Sequence, residues 1–213
     1  MASLGLGSLG RVLSLAPPSQ HAARVESWAQ EVRRALDESG SSTPLALDRL
    51  VPRLLPQPDP RVWSRPLAAG LHLALALDAP LRQRLLSPFD LPRLGLSLAA
   101  AQARAIENLR ALTPAPETDG TLSWWALGDG LDASRLLLAG ASSRGTAGVI
   151  ALAPARDLCA FLPWSEGEAG TAAAPLIAWA EGLPALPYPL SMRLWWLGAQ
   201  GEAPVALSAE RSA

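Results

Sequence analysis

The sequence predicts an α+β fold, a mainly antiparallel sheet with helices packed largely on one face. Three observations carry that prediction. Leu71, Leu73, Leu75 and Leu77 alternate with His72, Ala74, Ala76 and Asp78, the two-residue period of a strand with a buried leucine face. Residues 21–39 and 98–112 instead repeat apolar residues at three- and four-residue spacing, the mark of amphipathic helices. The order that follows from the whole chain is helix, strand, helix, strand, helix, strand, strand, helix, hairpin, which suits strands paired mainly as antiparallel neighbours.

Taken in order, residues 1–20 are rich in Gly, Ser and Leu and close on Ala16-Pro17-Pro18, so they read as a flexible segment. Their single arginine, Arg11, lies inside the apolar run, whereas a secretory signal places positive charge ahead of it. Ala22, Val25, Trp28, Ala29, Val32 and Leu36 form the apolar stripe of the first helix, with Ser19 as its cap and Gly40 as its stop. Residues 40–66 contain Pro44, Pro52, Pro56, Pro58, Pro60 and Pro66, a density that forbids a long helix. This stretch reads as a proline-rich connector with one short turn over 45–50; Arg49, Arg53, Arg61 and Arg65 beside Trp63 could form a cation–π or anion-binding surface, but the preferred reading is that these arginines are solvated. The α+β core is expected over 67–208.

Within that core, Ser97 is a natural N-cap for the helix over 98–112, where Asn108 is the unusual polar residue. Thr118-Asp119-Gly120 marks a turn before a strand with Leu122, Trp124, Trp125 and Leu127. Gly128-Asp129-Gly130-Leu131-Asp132 then turns into a short helix over 133–140, and apolar runs over 148–153 and 158–162 read as strands joined through Pro154-Ala155-Arg156-Asp157. Pro175 opens another helix, since proline is tolerated at its first position. Residues 191–197 and 203–207 read as a final hairpin.

Several of these motifs resemble the YtpQ-like family of uncharacterised bacterial proteins. They are Leu94-Gly95-Leu96-Ser97 before a helix ending Ala105-Ile106-Glu107-Asn108-Leu109, the run from Gly128 to Leu138, Ala153-Pro154-Ala155-Arg156-Asp157, and Pro187-Tyr188-Pro189-Leu190-Ser191. The resemblance covers roughly residues 70–207 and leaves the first 65 unmatched. It supports the fold; the family has no established activity to transfer.

Composition narrows the function classes. The 213 residues contain no lysine, and the formal net charge is −1, so no broad basic surface is available for nucleic acid. Cys159 is the only cysteine, which rules out an intramolecular disulfide, and His21 and His72 are the only histidines. A metal site has no clustered ligand spacing to support it, no cofactor motif is present, and no apolar run reaches the length of a membrane span. The chain reads as a cytoplasmic protein.

No catalytic residue is assigned. Asp129 and Asp132 form a carboxylate pair that could bind a cation or act as acid and base, but the reading preferred here is structural, with Asp132 capping the helix that begins at Ala133. Arg156 and Asp157 are expected to join that turn or Asn108 in a polar network; an arginine with two carboxylates could equally recognise an anion. Ser142 and Ser143 lack the strand–Gly-x-Ser-x-Gly–helix context of a nucleophile. Eight tryptophans against two phenylalanines and one tyrosine is the oddest feature. Trp124-Trp125 and Trp195-Trp196 put one ring on each sheet face, so one ring of each pair either forms a protein interface or is covered by helices. The expectation is a non-enzymatic protein acting through another protein. The alternative is a small-ligand or metal-binding enzyme using Asp129, Asp132, Arg156 and Asp157, and a tryptophan-lined apolar cavity ranks third.

Overall fold

A computed structural model of the chain describes residues 46–68, 70–79, 82–142, 147–165, 173–199 and 204–207, together with Glu26 and Gln30. The helix predicted over 21–39 falls outside these residues except at Glu26 and Gln30, both helical and exposed. The class is α+β, and every strand pair described is antiparallel. The strands form two sheets, where the sequence suggested one. In the four-stranded sheet, β1 (Leu50–Leu55) flanks β3 (Leu71–Ala79) on one side, and β2 (Ser64–Ala68) and β4 (Arg82–Leu85) also pair with β3. The six-stranded sheet runs β10-β9-β7-β8-β6-β5, with β5 (Glu117–Asp119), β6 (Leu122–Trp125), β7 (Gly148–Ala155), β8 (Leu158–Trp164), β9 (Pro189–Gly198) and β10 (Val205–Ala206).

The first correction lies in residues 40–66, which carry two strands in addition to the short 3-10 turn Leu47–Arg49. Proline density misleads here because the two prolines inside these strands, Pro52 and Pro66, sit where strands tolerate proline. Pro52 lies on β1, which pairs only with β3, and Pro66 lies on β2 at a register shift. An edge strand leaves the N–H groups on its outer side out of the ladder, and a bulge interrupts the ladder, so both are places where strands carry proline. Pro154 inside β7 follows the same rule, since the pairing with both β8 and β9 shifts register beside it.

The period-two signal is written directly into the packing of the six-stranded sheet. Val149, Ala151, Ala153, Cys159, Phe161, Trp125, Trp195 and Leu197 join Leu54, Leu71 and Leu73 of the other sheet in one core. Ala133, Leu136 and Ala139 of the short helical segment fill the same cluster. The alternate residues Ile150, Leu152, Ala160 and Leu162 meet Leu176 and Ala180 of α3 (Ala174–Glu181). α1 (Leu98–Ala111) covers the four-stranded sheet, with Ala101 and Ala105 against Leu50, Leu75 and Leu77, and Leu109 against Val51 and Ala76. α2 (Leu136–Ala139) belongs to the core that the two sheets share. α1, α2 and α3 therefore serve different surfaces. Ser97 caps α1 as predicted, its hydroxyl accepting from the Ala100 N–H at 3.2 Å.

Candidate functional site

The turn Gly128-Asp129-Gly130-Leu131-Asp132 connects β6 to α2, and left-handed backbone at Gly128 (φ 69°) and Gly130 (φ 82°) lets it fold back on itself. Folding back brings Asp129 and Asp132 onto one guanidinium, that of Arg135. Arg135 is wholly buried, and all five of its N–H donors find acceptors. Nε donates to Thr113 Oγ1 at 3.2 Å. Nη1 donates to Asp129 Oδ1 at 2.9 Å and Asp132 Oδ1 at 2.6 Å, and Nη2 donates to Asp129 Oδ2 and to the Leu112 carbonyl at 3.4 Å. The carboxylates are anchored in turn, Asp129 by the Leu131 N–H and Asp132 by the Gly128 N–H, each at 2.8 Å.

This geometry corrects the expected role of Asp132. It stands at the start of the 3-10 turn Ala133–Arg135 but makes no side-chain cap hydrogen bond. Its carboxylate turns backward to Gly128 and across to Arg135 instead. Burial pushes its carboxyl above the ordinary range, and the hydrogen bonds from Gly128 and Leu127 only partly offset that. Burial also raises Asp129, but the hydrogen bonds from Arg135 and Leu131 outweigh it and hold that carboxyl low. Asp132 is closed to solvent and both oxygens of Asp129 are engaged, so neither is free to take up a substrate proton.

Arg156 does not reach this triad through its side chain. Its guanidinium pairs with Asp157 at 3.0 and 2.9 Å and lies 3.8 Å over the Tyr188 ring. The link to the turn is a backbone one, Ala133 N–H to the Arg156 carbonyl at 3.0 Å. Asn108 lies elsewhere, donating at 2.8 Å to the carbonyls of both Leu47 and Leu50, where it ties α1 to the start of β1. The expected network thus divides into three, the Asp129–Asp132–Arg135 triad, the Arg156–Asp157–Tyr188 group and the Asn108 clamp.

Two arginines central to this region escaped the sequence reading. Arg135 carried a usable signal, being a lone cation three residues beyond Asp132 at the head of an apolar run. Arg53, expected among the solvated arginines of the connector, carried no signal of burial beyond its place among leucines. It is 9% exposed on β1, within electrostatic reach of Asp129, Asp157 and Arg156.

The tryptophans resolve toward cover. Trp125 and Trp195 are buried in the shared core, and Trp125 donates to the Pro114 carbonyl at 3.0 Å and stacks against Phe161. Trp124 is half-buried in the cluster beneath α3, and Trp196 meets Trp164 edge-on at 6.0 Å. None of the four is exposed. Cys159 is fully buried, and burial pushes its thiol far up. Among the described residues no group of three or more His, Cys, Asp or Glu could hold a metal ion, and no helix is long and apolar enough to cross a membrane. Compared with protein-family models, with curated proteins and with solved structures, the chain matches none.

Proposed function

We propose that this is a non-enzymatic cytoplasmic protein that works by binding another protein, and that it docks through the turn carrying Phe89. The observation that carries this reading is Phe89 itself, 90% exposed on a 3-10 helix (Pro88–Leu94) that is held rigid from beneath. Asp90 accepts from the Ser87 N–H and hydroxyl at 2.9 Å each, and from Arg84 and Arg93 at 3.1 and 3.3 Å. Leu86 and Leu94 bury the ends of the segment, and Gly95 in the left-handed conformation (φ 63°) stops it. Leu96 and Leu98 continue the exposed apolar side toward α1. A large aromatic ring held outward on a braced support loses little conformational freedom on binding, which is what an interface anchor needs.

The docking surface in this reading is therefore phenylalanine-centred, not tryptophan-centred. The enzyme alternative loses support because Asp129 and Asp132 are spent on Arg135. The resemblance to a bacterial family adds no activity, and the net charge of −1 disfavours nucleic acid as the partner. The test places a photo-crosslinking residue at position 89 and, separately, makes Phe89→Ala. Stability should stay within about 0.5 kcal/mol for so exposed a residue. A discrete crosslinked protein from cells, competed by wild-type chain and not by Phe89→Ala, is expected. Loss of the crosslink with Phe89→Ala as competitor, as complete as with the wild-type chain, sinks the proposal.

A further inference from the structure

The outer face of the six-stranded sheet is covered over only part of its width. Ala206 and Trp195 lie directly opposite one another on β10 and β9, and both pack into the core shared with the other sheet. Side chains alternate along a strand, so the neighbouring pair, Val205 and Trp196, points to the outer face. Leu207 joins that face across from Leu194, its N–H donating to the Leu194 carbonyl at 2.9 Å. α3 packs on the same face over Ile150 and Leu152 of β7 and Ala160 and Leu162 of β8. Its cover stops short of β10, where Val205 is 52% and Leu207 38% exposed. Met192, two residues before Leu194 on β9, is 63% exposed.

Rigidity and charge decide what can sit there. Trp196 meets Trp164 edge-on at 6.0 Å, and a Cβ on Gly148 would come within 2.9 Å of Trp196 Nε1, so the indole rests directly on that glycine. The face is also free of charge, since Trp164, Met192, Leu194, Trp196, Val205 and Leu207 carry no ionisable group. Arg193 lies between Met192 and Leu194 but extends toward the other sheet, where a Cβ on Gly70 of the β2–β3 turn would lie 3.8 Å from its Nε. Two copies brought together on an uncharged apolar face by a two-fold axis set no like charges against each other. Pairing edge to edge is closed off, because β10 is two residues long and β9 opens with Pro189. Face-to-face packing of the two sheets is the mode that remains.

We propose that the outer face of β9 and β10 is an interface with a second copy of this chain, in a two-fold dimer that packs the two faces together. The formal net charge of −1 opposes self-association only weakly. A standard interface takes about 20–30 residues a side, more than this face holds, so the dimer is weak and forms at micromolar concentration. The 3-10 helix carrying Phe89 packs through Leu91 and Leu94 on the four-stranded sheet, away from this face. The dimer therefore leaves the docking surface open, and the two proposals fail separately.

The test is sedimentation of the full chain from about 1 to 200 µM, alongside Val205→Glu, Met192→Glu and Val205→Leu. The wild type should pass from monomer toward dimer across that range. Either glutamate should weaken association by about tenfold or more, because it buries unpaired carboxylates in the contact, whereas Val205→Leu should keep the dimer. Both glutamate positions are exposed in the single chain, so at the lowest concentration these variants should match wild type in far-UV circular dichroism and melting temperature. A wild type that stays monomeric throughout overturns the proposal. A dimer that survives both glutamates, or one that Phe89→Ala abolishes, overturns it as well, since another surface then carries the contact. A photo-crosslinking residue at position 205 of the otherwise unchanged chain gives a readout independent of those variants, and should join two copies through β9 and β10. Crosslinks that run instead to residues 21–39 of the same chain, or to a different protein, overturn the second copy as the occupant.

Discussion

Replacing Arg135 with methionine tests the triad most directly. The substitution keeps much of the side-chain volume and removes a guanidinium that no solvent reaches. The two carboxylates left behind are not equivalent. Asp129 has a side chain 39% exposed and can recover water, so its loss is small. Asp132 is closed on all sides, and the anchors it keeps are the backbone N–H groups of Gly128 and Leu127. Removing one partner of a buried pair costs about 3–5 kcal/mol, and nearly all of it should come from Asp132. Arg135→Met should therefore destabilise by about 3–5 kcal/mol in urea titration at neutral pH, with the slope of the transition unchanged. Adding Asp132→Asn removes the stranded charge while leaving an amide oxygen for Gly128, and should recover about half of the loss. A single-variant cost below about 1 kcal/mol, or a double variant no more stable than Arg135→Met, would refute the claim that Arg135 exists to neutralise Asp132.

Two further outcomes follow from the same structure. Asp129 and Asp90 have folded-state pKa values below their unfolded ones, so the unfolded chain binds more protons as pH falls through that window and stability is lost there. Asp132 and Asp78 are shifted upward, so their protonation favours the folded state at a pH above the ordinary carboxylate range. Denaturant midpoints measured from pH 7 downward should rise slightly and then fall below the ordinary carboxylate range; a monotonic decline would show that the upward-shifted pair contributes nothing. Gly140→Ala places a Cβ 2.4 Å from the Gly198 carbonyl oxygen, a backbone atom that cannot swing aside. It should cost about 1–3 kcal/mol by equilibrium unfolding, and an effect under about 0.5 kcal/mol would mean that α2 and β9 are not in close contact.

The sequence was most legible where one physical signal dominated. Period-two leucines placed β3, and Ser97 with an alanine-rich face placed α1 to within a residue. It failed where a signal has two meanings. Proline between 50 and 68 reads as a strand breaker, yet Pro52 lies on an edge strand and Pro66 at a register shift. Trp124-Trp125 and Trp195-Trp196 did place rings on opposite faces, but only the folded chain shows that α3 packs over Trp124 and that Trp164 lies against Trp196. The polar site was half legible. Asp129 and Asp132 were visible as a pair, whereas Arg53 lies far from Gly130 in the sequence, and no local spacing encodes their approach.

The arrangement of these charges has a consequence for how the two sheets are held in register. Hydrophobic clusters bury area without strong directional preference, so the leucine and alanine faces alone leave the sheets free to slide. The Asp129–Asp132 turn supplies direction. Through Arg135 it grips Leu112 and Thr113 at the end of α1, which packs on the four-stranded sheet. Through the Ala133 N–H it grips Arg156, at the β7–β8 turn of the six-stranded sheet. Arg53 and Arg156 therefore approach the turn from opposite sheets, one on β1 and one beyond β7. Arg135→Met should then speed amide exchange at the turn and at the β7–β8 hairpin together, because one joint restrains both.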